Sequence, residues 1–135
     1  MSILENKFNN FVRIVEKLRS DNGCPWDKKQ TTLSLKRYLL EETQETLDAI
    51  DSNDSEHIKE ELGDILYLII LLAQINSEKN YFDISDVVDE ITVKMLRRHP
   101  HVFDNKKPGS NDELRQQWLT IKNNEKKQKG KSQKN

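Results

Sequence analysis

Residues 35–49 read LKRYLLEETQETLDA and residues 58–72 read IKEELGDILYLIILL. Both predict helices, because residues recur at alternating steps of three and four along one face. Leu35, Tyr38, Glu42, Glu45 and Ala49 form one seam, and Ile58, Glu61, Ile65, Leu68 and Leu72 form the other. Carboxylates therefore stand where a packing seam calls for apolar groups. A buried, unpaired carboxylate costs several kcal/mol, so acids enter such a seam only where cations or hydrogen-bond donors meet them. Glu45 follows Glu42 by three residues and Asp64 follows Glu61 by three, which aims two carboxylates from each helix at one interhelical space.

Four carboxylates with no histidine or thiol among them suit a hard divalent ion, Mg²⁺ or Mn²⁺, over zinc. For one such pair alone, the simpler reading is a solvated helix surface with Lys36, Arg37 or Lys59 as partners. Two pairs, both in apolar seams on successive helices, favour a metal site.

Outward from this pair, Leu4, Phe8, Phe11, Val12, Val15 and Leu18 predict a first helix over Ile3 to Leu18. Residues 23–27, GCPWD, read as a loop, after which Thr31, Thr32 or Ser34 caps the second helix, running to about Ile50. The third helix starts near Asp54 or Ser55 and reaches about Lys79. A fourth, Ile84 to Arg98, stops before Pro100, since the residue preceding proline disfavours helical geometry. Asp112 to about Asn123 gives a short last helix.

The expected fold is thus all-α: an antiparallel bundle of four main helices plus a short C-terminal helix. At 135 residues the chain has the length of one domain. With 4 glycines and 3 prolines it is too poor in turn residues for a β-sandwich. Its longest apolar run, Ile65 to Ala73, has nine residues where a membrane span needs about 20. A lone cysteine, Cys24, excludes a disulfide scaffold, and with no secretory signature it suits a reducing cytoplasm. Residues 122–135 hold six lysines against one glutamate, a charge of +5 that leaves −6 for residues 1–121. We expect residues 1–123 to form the domain and 124–135 a disordered, Lys-rich tail, and do not expect nucleic acid as a partner. An unbroken apolar third helix in so small a domain predicts a homodimer, or a dimer of dimers, burying the second and third helices.

Lys94, Arg97, Arg98, His99 and His101 surround Pro100. Cations beside an acidic metal site are what a polyphosphate requires, the ion and the fixed charges sharing its oxygens. Basic residues in a last helical turn also simply meet the macrodipole. The two histidines suit a turn's packing better than zinc. Trp118 and Lys122 lie one turn apart, an aromatic face beside a cation that fits a stacked base, while spacing alone favours a core tryptophan.

These segments together resemble the MazG nucleoside triphosphate pyrophosphohydrolases, of the all-α pyrophosphatase superfamily. The likeness rests on Gly23 to Asp27 with Gln30 and Thr31, Tyr38 to Glu42 continuing to Glu45, Glu60 to Asp64, Lys94 with Arg97 to Phe103, and Trp118 with Ile121 and Lys122. It implies Mg²⁺-dependent hydrolysis between the α and β phosphates of a nucleoside triphosphate, with Mn²⁺ a possible substitute. Metal ligands are then Glu42, Glu45, Glu61 and Asp64. Glu41 points about 100° from Glu42 on the helical wheel and is assigned to a second ion or to orienting water, so Glu41, Glu42 and Glu45 form the implied catalytic set. Lys94, Arg97 and Arg98 become phosphate contacts, and Trp118 and Lys122 members of the nucleotide site. Thr32 stands where relatives often have His, and Thr43-Gln44 replaces an Ala-aromatic pair. Rival readings are a relative specialised for dUTP, dCTP or phosphoribosyl-ATP, and a non-catalytic metal-binding module whose Lys tail touches nucleic acid.

Overall fold

The computed structural model describes residues 1–134. It is all-α, with seven helices and no strand among the described residues: α1 (Ile3–Arg19), α2 (Pro25–Lys29), α3 (Lys36–Ser52), α4 (Ser55–Glu78), α5 (Ile84–Arg98), α6 (Pro100–Phe103) and α7 (Asn111–Lys134). The chain divides into two compact units, residues 1–85 and from Asp86 onward.

In the first unit, local chemistry sets the helix ends. α1 opens on a capping box, Ser2 Oγ accepting from the Glu5 N–H at 3.1 Å while Glu5 Oε2 accepts from the Ser2 N–H at 3.0 Å. It closes where the Cys24 N–H reaches the Leu18 carbonyl at 2.9 Å. Glycine is required there, because a Cβ on residue 23 would lie 2.2 Å from the Lys17 oxygen. Asn53, with φ 58°, ends α3 in the left-handed region that Asn tolerates. Asp54 then caps α4 by accepting from the Glu56 and His57 N–H groups. So short a link makes α3 and α4 a helical hairpin, and α1 packs on α4.

Val15, Leu35, Leu68, Ile70, Leu71 and Ile75 form the buried core, with Phe8, Phe11, Tyr38 and Leu72 packed against it. The segment read as a loop at 23–27 is instead partly helical, since Pro25 at the first position of α2 brings a preset φ and lacks only an N–H that has no helical partner there. Arg19 fastens this segment. Its Nη1 donates to the carbonyls of Asp27, Lys28 and Gln30 at 2.7, 2.8 and 2.9 Å, and its Nη2 pairs with Glu78 at 2.7 Å. Buried Asp27 accepts from the Tyr67 hydroxyl, whose pKa is pushed up by burial and then by that carboxylate. Trp26 meets Tyr38 edge to face at 5.3 Å, so the segment braces α3 one turn before Glu42.

Thr31 and Ser34 do not cap α3. Each accepts the other's N–H, making a separate turn, and α3 begins at Lys36. In the second unit, Pro100 ends α5 as expected but opens the extra helical turn α6. The larger difference concerns α7, which continues through Lys134 where a short helix ending near Asn123 was expected. Lys, Gln and Glu are good helix formers, no proline follows Pro108, and Glu125 is tied to α5. Asn135, the last residue of the expected Lys-rich tail, lies outside the described residues.

Candidate metal centre

α3 and α4 bring the four expected acids together. One carboxylate oxygen from each of Glu42, Glu45, Glu61 and Asp64 lies within 4.8 Å of the others. Glu61 is buried at 7% exposure, Glu42 is half-buried, and Glu45 and Asp64 stand exposed. The seam therefore runs from a dry end at Glu61 to an open rim. Glu41 is exposed on a different side of α3.

Two oxygens in this cluster, Glu42 Oε2 and Glu61 Oε2, are buried without a hydrogen-bond partner. Among the described residues, no Lys or Arg forms an ion pair with any of the four acids. Lys59 pairs with Glu56 at 2.6 Å, and Arg37 lies over the Tyr38 ring at 4.8 Å, so neither supplies the surface pairing that would explain the acids away. Burial first, then the neighbouring Glu61, Glu45 and Asp64, push the Glu42 carboxyl up to about 7. Orphaned oxygens in an all-carboxylate set fit a hard divalent cation as the missing partner.

His57 was missed by sequence reasoning. Its Nε2 lies 3.3 Å from Glu61 Oε1, the oxygen opposite the orphaned one. The i, i+4 spacing on α4 was a readable signal.

In the second unit, the basic residues assemble around α7. Arg97 Nε donates to Glu125 Oε2 at 2.7 Å, and Arg98 donates to Glu125 Oε1 from Nη2 at 2.8 Å and from Nε at 3.2 Å. The two arginines hold the Glu125 carboxyl down at about 2. The cation over the Trp118 ring is Arg98, at 4.8 Å, while Lys122, one turn from Trp118, is exposed. Lys94 is half-buried on α5. His99 sets its ring edge-on to Trp118 at 5.4 Å and donates from Nδ1 to the Met95 carbonyl, while His101 accepts from Gln117 Nε2. The histidines thus pack the turn, as their spacing around proline suggested.

Comparison with known proteins connects these units to one family. The model of the MazG nucleotide pyrophosphohydrolase domain matches residues 30–103, more than half of the chain and all four acids. Trp118, Lys122 and Glu125 lie beyond that match. The chain is 48% identical to the nucleoside triphosphate pyrophosphohydrolase/pyrophosphatase MazG of Thermotoga maritima, over 88% of this chain and 45% of that protein. It is 41% identical to the nucleoside triphosphate pyrophosphohydrolase of Escherichia coli K12, over 92% of this chain and 48% of that one. YabN of Bacillus subtilis is 48% identical over 92% of this chain and 25% of its own length. The chain spans half or less of these relatives. A crystal structure of a mazG-related protein from Thermotoga maritima superposes with a TM-score of 0.70 at 29% identity, covering 85% of this chain and 98% of that one. The matched residues include both acid-bearing helices, and the chain belongs to the MazG nucleotide pyrophosphohydrolase domain family.

Proposed function

We propose that this chain hydrolyses (deoxy)nucleoside triphosphates between the α and β phosphates, releasing the monophosphate and pyrophosphate in nucleotide-pool housecleaning. The observation that carries the reading is the acid cluster with two buried, unpartnered oxygens and, among the described residues, no Lys or Arg paired to it. Glu42, Glu45, Glu61 and Asp64 are the ligands for Mg²⁺, with Mn²⁺ able to substitute. When bound, the ion supplies neutralisation of phosphate charge and a lowered pKa for the attacking water. Glu42, with its carboxyl near neutrality before metal enters, and Glu45 at the rim are the groups placed to take the water's proton. Glu41 orients water or assists a second ion. Arg97 and Arg98 bind substrate phosphates in this reading, with Lys94, Trp118 and Lys122 completing the nucleotide site.

Exposed Leu40, Leu47 and Ile50 on α3 and Leu62, Leu66 and Ile69 on α4 support a homodimer, or a dimer of dimers, that covers these helices. Sedimentation at micromolar concentration tests this, and a monomer there would remove it. No helix among the described residues is long and apolar enough to cross a membrane. A cytoplasmic location is a separate part of this reading, supported by the lone cysteine, Cys24, which suits a reducing compartment.

Product analysis with Mg²⁺ across canonical and modified triphosphates tests the reaction. Monophosphate and pyrophosphate should form with wild type and vanish with Glu42→Gln. Turnover of only dUTP, dCTP or phosphoribosyl-ATP would make it a specialised relative. Binding of Mg²⁺ without any turnover would make it a non-catalytic module.

A further inference from the structure

The arginines read above as phosphate ligands are already held by a carboxylate from α7. Glu125 bridges them, Oε1 receiving Arg98 and Oε2 receiving Arg97. Two neighbouring guanidiniums repel each other, and a single carboxylate between them leaves a net charge of +1 for an incoming anion. The bridge uses only part of the five N–H donors that each arginine carries, so both keep donors for phosphate. Arg98 is held on a second side by the Trp118 ring and is 12% exposed, whereas Arg97 is 46% exposed and borders a groove of about 480 Å³ lined also by Glu90, Ile121, Asn124 and Lys129. Because the arginines lower its pKa and so favour its ionised form, the bridge stays charged throughout the neutral range.

We propose that Glu125 is a positioning residue for phosphate recognition, holding Arg97 and Arg98 as one preformed fork whose unused donors take the substrate's phosphates. The proposal rests on the function given above. It assigns a task to a residue lying beyond the stretch matched by the family model and within the run expected to be a tail.

The test is steady-state kinetics with Mg²⁺ and a triphosphate that wild type hydrolyses, for wild type, Glu125→Gln, Glu125→Asp, Arg98→Ala and the Glu125→Gln/Arg98→Ala double variant. Circular dichroism and thermal midpoints monitor folding. Glu125→Gln should raise KM about tenfold with kcat within about twofold, the scale of losing a bidentate charge-assisted contact. Asp should restore part of the loss. In the double variant KM should rise by less than the product of the two single effects, since Glu125 acts in part through Arg98 and in part through Arg97. A lower KM in Glu125→Gln would overturn the proposal by making Glu125 a competitor of substrate. Unchanged KM in Glu125→Gln, where Arg98→Ala raises it, would overturn it while leaving Arg98 a phosphate ligand. Unchanged KM in Arg98→Ala would instead refute the phosphate-binding role of Arg98, and the proposal with it.

Discussion

The two charged clusters of this molecule are built on opposite principles. On α3 and α4, four acids are gathered with no lysine or arginine paired to them among the described residues, and two of their buried oxygens have no hydrogen-bond partner there. Between α5 and α7, two arginines are gathered around an acid that satisfies both, with one guanidinium lying on a tryptophan. The first arrangement crowds like charges in a partly buried space, a cost that the cation proposed above would offset. The second is internally neutralised in part. One cluster has no Lys or Arg as counter-charge among the described residues, and the other carries its own while remaining net positive.

Glu61→Gln should break the contrast most. It removes the most buried charge of the acid cluster, so kcat/KM should fall by about a thousandfold or more, the scale of several kcal/mol of lost charge stabilisation. The same variant should raise the thermal midpoint in chelator, because like charges no longer crowd a buried space. A midpoint that drops would mean that the acids are not in mutual repulsion.

Chelation and pH give the next effect. The Glu42 carboxyl is raised in the fold, so its contribution to metal-free stability is complete below the ordinary carboxylate range and is lost as pH rises from about 4.5 towards about 7. Thermal midpoints in chelator should therefore fall across that window. Mg²⁺ at a hundredfold excess over its Kd should restore about 2.7 kcal/mol at neutral pH. A flat profile that ignores Mg²⁺ would place the cluster among ordinary surface acids.

Arg98→Lys sharpens the other side. A lysine keeps the charge but loses the planar fork, so kcat/KM should drop by about tenfold, chiefly through KM. Full activity would show that the cluster acts as a point charge. His57→Ala should have the smallest effect, weakening Mg²⁺ binding by about threefold as titrated calorimetrically, since a half-exposed contact orients Glu61 less firmly than a buried one would.

The acid cluster was legible because both of its ingredients are local. Spacings of i, i+3 place Glu42 with Glu45 and Glu61 with Asp64 on helix faces, and apolar neighbours show which faces pack. The ends of α1, α4 and α5 were legible within a residue or so for the same reason, their caps and stops lying next to them in the chain. Pro25 was misread because proline punctuates loops but also starts helices. The last helix was cut short because a lysine-rich run has the composition of a solvated tail, and nothing local shows that Glu125 has partners.

From the sequence alone came the helical class, the two acid-bearing faces and the chemistry that those oxygens suit. Tertiary structure alone decided that Glu61 sits at the dry end of the cluster and Asp64 at its rim, and that Asp27 meets Tyr67 across 40 residues. It also decided that Arg98 meets Glu125 across 27 residues. The reason is physical: periodicity specifies which face of a helix is buried, but a long side chain can reach several turns of a neighbouring helix, and only the packed chain selects which carboxylate it finds.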